Sequence, residues 1–374
     1  MGLLIYFIIA ILAFCKPKSK KIAVVVAAFM VVIFGFNTAS GDYSMYKWIY
    51  EELYTWKGIG LLGAHEPGFE LLMIICKALN LSYQSFRVVI GIVCALLTYK
   101  TTCRLTEYPA VAMVIYILNP FMGFVSGIRA GISSVVVMYA LADLMYAKDK
   151  PILKYILGIM VATMFHYSAI AYLLLLVLKI EMPINRMLLI CAVVSAFVTF
   201  AVHGSTLMYD FLNLLTDNKK VLMWFNLNSL GTEKMSIRGK LYTLGLLTYI
   251  IMLSSFALYR MSLNQLTDTH GKTGYFSKRV CIILITFLPL FFINGTFLRY
   301  IGEVLLLVIC ASVEGSAYLA KKSPDGWEKL FDPIILITLI VVITILVDNR
   351  SMMLYTGYHY FTPFFENTLF SRFS

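Results

Sequence analysis

Five ionisable side chains stand in sequence that is otherwise almost entirely apolar or aromatic: Asp42, Glu66, Arg129, His166 and Arg299. A charged residue beside a membrane-spanning helix costs free energy, so each one calls for a reason. Arginines bind phosphate oxygens in a bidentate manner, and a carboxylate or a histidine can take a proton from a sugar hydroxyl. Together these residue types fit the transfer of a sugar from a lipid diphosphate.

Each carboxylate also has a purely structural interpretation. Glu66 precedes Pro67, and proline suits the first turn of a helix because its missing donor is not needed there. A carboxylate at that point complements the helix dipole, so Glu66 is either a helix cap or a general base or hydroxyl ligand. Asp42 could likewise cap the helix that follows it.

Arg129 and His166 allow two interpretations as well. Arg129 lies among small residues at the start of a long apolar run, where snorkelling is the structural alternative. Upstream, Asn119-Pro120-Phe121 predicts a helix break beside a cavity, because irregular backbone at membrane depth needs protein or water around it. His166 falls between two apolar runs and predicts a tight helical corner; its alternative is a hydrogen-bonded structural histidine.

The composition indicates an all-α polytopic membrane protein. Of the 374 residues 60% are hydrophobic and 14% are charged, whereas a soluble domain has roughly a quarter charged. The apolar runs do not alternate as barrel strands do, so they predict helices, about 10 to 12 of them spanning the membrane at about 20 residues each. The clearest runs are 22–36, 187–202, 241–258, 280–293, 300–319 and 334–347.

The net charge of +11 does not indicate nucleic acid as a partner. Lysines and arginines cluster in short loops, as the positive-inside rule predicts, and attraction to anionic membrane lipids is a sufficient use for them. The basic segment Lys16–Lys21 is placed in the cytoplasm, and Gly2–Phe14 is interpreted as a retained first span. The seven cysteines form no CxxC pair, which favours packing over metal or disulfide use.

This sidedness predicts one integral membrane domain over residues 1–374, with three external segments. Residues 37–66 form an external loop with an amphipathic interfacial helix over Asp42–Tyr54. Residues 203–240 form a large loop, expected either to cover the site with aromatics and Arg238 or to be an interfacial helix pair. Residues 349–374 form the tail. Between 66 and 106 the apolar runs 69–81 and 88–98 are both short, so one is expected to be partial or re-entrant.

Familiar motifs of soluble enzymes are missing from the sequence. There is no Walker loop, dinucleotide fingerprint, HExxH or GxSxG. With no nucleotide site, the energy has to come from the substrate, as an activated lipid-linked sugar supplies it. No cofactor or metal is expected, because two guanidiniums can offset the charge of the leaving group; Mg²⁺ held by Asp42 and Glu66 is the alternative.

Six short motifs in order resemble the EpsG-like family of bacterial exopolysaccharide and capsule polymerases, a Wzy-type group. They are Gly41-Asp42-Tyr43 with Tyr46, Glu66-Pro67-Gly68-Phe69, Ile128-Arg129-Ala130-Gly131-Ile132, Phe165-His166-Tyr167-Ser168-Ala169, Arg299-Tyr300 and Tyr360-Phe361-Thr362-Pro363-Phe364. They span nearly the whole chain. One position departs from the family pattern: Ala130 stands where a glutamine or similar polar residue is expected.

The resemblance implies an enzyme at the external face of the bacterial plasma membrane, with an architecture related to GT-C glycosyltransferases. It would move a growing glycan from undecaprenyl diphosphate onto a lipid-linked oligosaccharide repeat unit. Arg129 and Arg299 would hold the diphosphate, Glu66 or His166 would activate the acceptor hydroxyl, and Asp42 would orient it. The expected substrate-binding set also includes Tyr43, Tyr46, Tyr300 and Arg238.

Two other functions are compatible with the same residues. A ligase or a single-sugar GT-C transferase shares the arginine and histidine logic and differs in the length of its product. A flippase for lipid-linked oligosaccharide is expected to show paired halves, and the sequence shows no such duplication. A chain-length regulator and a flippase are expected partners of a polymerase.

Overall fold

The computed structural model describes residues 1–38, 42–52, 66–203, 269–284, 299–322, 364 and 367–371. In these ranges all regular structure is helical, apart from one isolated bridge between Asn37 and Asn367. The prediction of an all-α chain is therefore confirmed for the part of the sequence that the structure describes.

The described residues contain thirteen α-helices, one π-helical turn and one 3₁₀ helix. They are α1 (Gly2–Cys15), α2 (Lys20–Phe36), α3 (Tyr43–Glu52), α4 (Pro67–Ala78), α5 (Tyr83–Leu105), α6 (Pro109–Tyr116), the π-helical turn Ile117–Phe121, α7 (Met122–Ser126), α8 (Ile128–Tyr146), α9 (Pro151–Phe165), the 3₁₀ helix Tyr167–Lys179, α10 (Ile184–His203), α11 (Thr269–Leu284), α12 (Arg299–Lys322) and α13 (Thr368–Ser371).

Apolar helices of two lengths make up the bundle. Among the described helices, α5 and α8 are long and apolar enough to cross a bilayer, and α1, α9, the 3₁₀ helix and the first part of α10 are shorter apolar helices. Large apolar side chains on α1, α9 and α10 are exposed, among them Leu4, Leu157 and Leu189. An apolar surface of this kind suits lipid contact and indicates a membrane protein.

Polar contacts fix one end of the bundle. The Lys18 ammonium lies 2.5 Å from the Glu107 carboxylate, and the Arg104 guanidinium lies 2.7 Å from the Asp143 carboxylate. Lys18 lies just before α2, and Glu107 lies just after α5. Arg104 and Asp143 lie near the ends of α5 and α8, so the two ion pairs hold these three helices together at this end. The candidate site lies at the opposite end of the same helices.

The segment between residues 66 and 106 forms two helices of unequal length. Helix α4 has 12 residues and α5 has 23, so α4 rises about 18 Å, too little for a hydrocarbon core of about 30 Å. Ser82 accepts a hydrogen bond from the Ser85 amide and caps α5, which starts at Tyr83, before the apolar run 88–98. Arg87 consequently lies inside α5.

Helical backbone continues through Asn119-Pro120-Phe121, so the predicted helix break is wrong. The π-helical turn Ile117–Phe121 joins α6 to α7. Pro120 has no N–H to donate and its ring needs room in the preceding turn, and a wider π turn accommodates both. The interruption comes later, at Gly127, where φ is −86° and ψ is 70°.

Helix α3 occupies most of the stretch in which an amphipathic helix was predicted. Its buried side chains are Tyr46, Ile49 and Tyr50, spaced three and four residues apart as on one helix face, while Trp48 is exposed. The buried face packs toward the start of α5: the Tyr50 ring stacks on Phe86 with centroids 5.0 Å apart.

The described residues of the C-terminal tail pack against the first two helices. Phe364 is buried, with its ring centroid 5.5 Å from that of Tyr6 and 6.3 Å from that of Phe29. Asn367 donates a hydrogen bond to the Val32 carbonyl at 3.1 Å. This part of the tail therefore belongs to the helix bundle.

Candidate active site

Two glycines bring the helix ends of the site together. A Cβ on Gly68 would lie 2.8 Å from the Met164 carbonyl oxygen, so the start of α4 touches the end of α9 directly. A Cβ on Gly131 would lie 2.9 Å from the Phe124 Cβ, so α7 folds back closely on the start of α8. The first contact sets Glu66 beside His166, and the second sets the position of Arg129 at the start of α8.

The Glu66 carboxylate is the centre of the site. Its Oε2 accepts a hydrogen bond from Arg129 Nη1 at 2.5 Å, and its Oε1 lies 3.1 Å from His166 Nδ1. The Tyr167 amide also donates to Oε1, at 3.4 Å. Only 5% of the Glu66 side chain is exposed, so a carboxylate that would be costly to bury alone is held by a cation, an imidazole and a backbone donor.

Arg129 is held on a second side by Tyr46. The Arg129 Nε donates to the Tyr46 hydroxyl at 2.9 Å, and the guanidinium carbon lies 5.7 Å from the centroid of that ring. The Tyr46 ring packs edge-on against Phe69, with centroids 5.5 Å apart. With 22% of its side chain exposed, Arg129 is anchored while part of it faces out of the bundle.

The electrostatics keep the carboxylate charged and the phenol neutral. Burial by itself raises the pKa of the Glu66 carboxyl, but the hydrogen bond from His166 and the charge of Arg129 outweigh it and lower the pKa to about 2. Burial raises the pKa of Tyr46 despite the opposing charge of Arg129. The site at neutral pH therefore combines an ionised glutamate, a cationic guanidinium and a neutral hydroxyl.

The structural alternatives for Glu66 and Arg129 are not what the geometry favours. Glu66 does precede α4, but its side chain makes no capping hydrogen bond to the helix. Arg129 points into a contact with Glu66 and Tyr46, whereas a snorkelling arginine would extend its head group into water. The side chains of Glu66 and Arg129 instead form a hydrogen-bonded ion pair.

Other residues singled out in the sequence lie around this centre or outside the described part. Asp42 precedes α3, where its carbonyl oxygen accepts a hydrogen bond from the Tyr46 amide at 3.0 Å, and its charge contributes to the raised pKa of Tyr46. Tyr43 opens α3. Arg299 and Tyr300 open α12, and their side chains lie outside what the structure describes, as does Arg238 entirely.

The first turn of α12 can still be located. A Cβ on Gly302 would lie 3.6 Å from the Pro120 Cβ, so this turn packs next to the π-helical turn that precedes α7. Arg299 begins the same helix as Gly302, which contacts the α6–α7 segment.

Two contributors to the site region escaped the sequence analysis. The Tyr167 amide cannot be identified from residue type, because it acts through its backbone. Arg87 is fully buried beside α3, and no role was predicted for it from the sequence. Its position between Phe86 and Val88, in an otherwise apolar stretch, was the available signal that it lies within a helix and has a specific partner.

The donor set at Glu66 fits an ion pair better than a metal. No group of three histidine, cysteine, aspartate or glutamate side chains that could hold a metal occurs among the described residues. Both carboxylate oxygens of Glu66 already have cationic or N–H partners, so Mg²⁺ held by Asp42 and Glu66 would have to displace Arg129.

A bundle of apolar helices, with a buried glutamate between a partly buried arginine and a partly buried histidine at one end, indicates a helical membrane protein with a polar site near the ends of its helices. The chain belongs to the EpsG family, whose family model matches residues 3–363. That family is linked to exopolysaccharide biosynthesis, and the resemblance noted from the motifs is thereby confirmed. The comparisons with curated proteins and with solved structures found no match.

Proposed function

We propose that this chain is a Wzy-type polysaccharide polymerase. It transfers a growing glycan from undecaprenyl diphosphate onto a lipid-linked oligosaccharide repeat unit at the external face of the bacterial plasma membrane. The observation that supports this is the Glu66 carboxylate shared between Arg129 and His166. Arg129 is a suitable phosphate ligand and His166 is a suitable general base, and glycan transfer from a diphosphate needs both.

Arg129 binds the diphosphate of the donor in this proposal. Its planar guanidinium matches two phosphate oxygens at once, and Tyr46 fixes the plane of the group through Nε. The negative charge that builds up on the leaving diphosphate is stabilised by a cation already oriented before the reaction starts. Arg299 is the second candidate for this role, from its place in the family motif.

His166 takes the proton of the acceptor hydroxyl. Glu66 contacts its Nδ1, and a carboxylate at one ring nitrogen holds the imidazole in the tautomer that leaves the other nitrogen free to accept a proton. The same carboxylate stabilises the imidazolium that forms. In this proposal Glu66 has the orienting role and His166 is the base.

The bonds made and broken balance without a cofactor. The acceptor hydroxyl oxygen attacks the anomeric carbon of the donor glycan, and the bond from that carbon to the diphosphate oxygen breaks. His166 receives the hydroxyl proton, and undecaprenyl diphosphate leaves with the bonding electron pair. The diphosphate bond to the sugar supplies the driving force, so no nucleotide is consumed.

Arg129 also couples donor binding to the base. In the free protein Arg129 neutralises much of the Glu66 charge across a 2.5 Å contact. A bound diphosphate shares the guanidinium with Glu66, so more of the carboxylate charge is available to stabilise the imidazolium that forms on His166 during transfer. Donor binding and proton transfer are thereby linked through Glu66.

The wider arrangement follows the family. We expect about 10 to 12 membrane crossings in a GT-C-like architecture, with α3 in the external interface. Residues 203–240, including Arg238, lie on the external side in this arrangement, as does the tail 349–374 apart from Phe364 and Asn367, which pack against the bundle. Asp42, Tyr43 and Tyr300 line the acceptor path. A flippase that delivers repeat units and a chain-length regulator are the expected partners, together with the surrounding lipids.

The test uses purified protein in nanodiscs with a defined lipid-linked repeat unit and no nucleotide. A ladder of lengthening glycans on a gel, lost in His166→Ala and Arg299→Ala, is the expected result. Glu51→Gln, on the exposed side of α3, is the matched control and should keep the ladder. A single product of fixed size would indicate a ligase or single-sugar transferase. Movement of lipid across sealed vesicles without any transfer would indicate a flippase.

A further inference from the structure

Arg87 is a buried cation that the proposed reaction does not use. It lies in the first half of α5, and its side chain is fully buried. Its Nε and Nη2 donate to the Phe34 carbonyl at 3.2 and 2.9 Å, and Nη2 also contacts the Val125 carbonyl at 3.3 Å. A buried arginine is expensive, so the contacts that justify its position indicate what it does.

Helix ends supply the negative charge that Arg87 needs. The structure gives Arg87 no carboxylate partner among the described residues; its acceptors are carbonyls in the last turns of α2 and α7. The C-terminus of a helix carries a partial negative charge, so these two ends partly offset the charge of the guanidinium. Arg87 is thereby fixed at the point where α2, α5 and α7 meet.

Two contacts of Arg87, one with Val125 and one with Tyr43, lead toward Arg129. Val125 is four residues before Arg129, across the interruption at Gly127 that separates α7 from α8. On the other side the guanidinium carbon lies 5.3 Å from the ring centroid of Tyr43. Tyr43 is one helical turn before Tyr46 in α3, and the Tyr46 hydroxyl accepts the hydrogen bond from Arg129 Nε.

We propose that Arg87 is a positioning residue for Arg129, joining the end of α7 and the start of α3 so that the Arg129 guanidinium is held in one orientation. The proposal rests on the proposed function only in so far as Arg129 is taken to bind diphosphate. It predicts that Arg87 acts through Arg129 and has no contact with substrate of its own.

Arg87→Lys is the informative variant. It keeps a positive charge between the two helix ends, but a single ammonium on a flexible stem cannot reproduce the planar contacts to Phe34 and Val125. Arg104→Lys is the matched control: Arg104 stands near the opposite end of the same helix and pairs with Asp143. Both substitutions conserve charge and shorten one arginine of α5.

Hydrogen exchange on the unliganded protein tests the positioning without any assumption about the reaction. The Gly127 amide bonds to the Gly123 carbonyl and the Gly131 amide to the Gly127 carbonyl, on either side of Arg129. Arg87→Lys should speed exchange of both by about tenfold, as expected when one or two hydrogen bonds are lost. Arg104→Lys should instead affect the Ala147 amide, which bonds to the Asp143 carbonyl.

A double-mutant cycle tests whether Arg87 acts through Arg129. The probe is undecaprenyl diphosphate, with affinity measured for wild type, Arg87→Lys, Arg129→Lys and the double variant. Arg87→Lys alone should weaken binding about tenfold, and it should add little once Arg129 is already lysine. If wild type does not bind the probe, the diphosphate role of Arg129 fails, and the exchange result still decides the role of Arg87.

Additive effects in the cycle, or exchange at Gly127 and Gly131 that is the same in Arg87→Lys and Arg104→Lys, would overturn the proposal and leave Arg87 as a general structural residue. Should Arg87→Lys not yield folded protein, Tyr43→Leu takes its place in the exchange measurement on the unliganded protein, where a contact of Tyr43 with substrate plays no part. Tyr43→Leu removes the ring that faces the Arg87 guanidinium but leaves the hydrogen bonds of Arg87 in place. It is expected to give smaller changes of the same kind, and their absence counts against the proposal equally.

Discussion

Arg129 and Glu66 are separated by 63 residues of sequence, yet Nη1 of one lies 2.5 Å from Oε2 of the other. The contact joins the start of α8 to the residue before α4. Because the same carboxylate also contacts His166, the proposed phosphate ligand and the proposed base are connected through one buried group. A substitution of Glu66, Arg129 or His166 should therefore change the position and charge balance of the other two.

Arg129→Lys is expected to lower the polymerisation rate by about 10- to 100-fold, the loss that goes with one or two charge-assisted hydrogen bonds. Lysine keeps the charge, but its single ammonium cannot contact Tyr46, Glu66 and a diphosphate at the same time, as the planar guanidinium of arginine can. The rate of ladder formation at a fixed substrate concentration measures this loss.

The control for that variant is Arg104→Lys, in which the substituted residue belongs to the polar cluster at the other end of the bundle. It should leave the rate close to that of wild type. Comparable losses in the two variants would mean that arginine at position 129 matters for folding and not for the diphosphate.

Glu66→Gln is expected to reduce the rate by a factor on the order of 100 or more, in the range found for loss of general-base function. Glutamine nearly matches the shape of glutamate, but its amide can donate to His166 Nδ1 and so favour the wrong tautomer, and it cannot stabilise the imidazolium. Single-turnover rates with a saturating donor isolate this step. A rate within a fewfold of wild type would reduce Glu66 to a structural role.

The pairing of Glu66 also predicts how stability depends on pH. Its pKa is lowered from 4.5 to about 2 in the folded protein, so the carboxylate contributes stability that is fully present above about pH 4.5 and is lost as the pH falls toward 2. The contribution is about 3 kcal/mol at about 1.4 kcal/mol per pKa unit.

Thermal unfolding of wild type and Glu66→Gln between pH 7 and pH 3 measures that contribution. Wild type should unfold at the higher temperature near neutral pH, and the difference should be constant down to about pH 5 and shrink below it. Comparison of the pair cancels the other titrating groups. A difference that stays the same down to pH 3 would show that the charge of Glu66 contributes nothing to stability.

The sequence predicted three members of the candidate site because chemistry and cost point to individual residues. An ionised side chain in apolar sequence is conspicuous wherever it occurs, so Glu66, Arg129 and His166 could be found without knowing that they meet. Their contacts could not be found this way, because Glu66 and His166 are 100 residues apart. That distance is closed by the approach of α4 to α9 at Gly68, which depends on how the helices pack.

Arg87 and Pro120 show where a local interpretation fails. No role was predicted for Arg87, because the local sequence does not show the carbonyls at the ends of two distant helices that make its burial possible. Pro120 was taken as a helix break, since proline removes a donor, but a π-helical turn keeps the helix going. Tertiary packing supplied the partners of Arg87, and a local change of helix type accommodated Pro120.

Metal removal should leave the reaction unaffected. Both Glu66 oxygens already have Arg129 or His166 as partners, and a guanidinium can offset the diphosphate charge as a divalent cation does in other transferases. The ladder should therefore form at the same rate in excess EDTA. Loss of the ladder in EDTA, with recovery on addition of Mg²⁺, would mean that the metal alternative involving Asp42 is right.

Gly68→Ala tests whether the approach of α4 to α9 holds the site together. The added methyl would lie 2.8 Å from the Met164 Cβ and carbonyl oxygen. Backbone cannot move aside cheaply, so we expect a loss of about 1 to 3 kcal/mol in the free energy of unfolding and a lower rate, because Glu66 is moved away from His166. Thermal unfolding and ladder formation measure the two effects.

Gly127→Ala is the matched control for stability. A Cβ there would find its nearest neighbours at 3.8 and 3.9 Å, ordinary contact distances, and the backbone angles at Gly127 are open to alanine. Its unfolding temperature should therefore stay close to that of wild type. If Gly68→Ala is equally stable and the separation of Glu66 and His166 is unchanged, the close contact at Gly68 does not fix the site, and the ion pair itself must hold α4 in place.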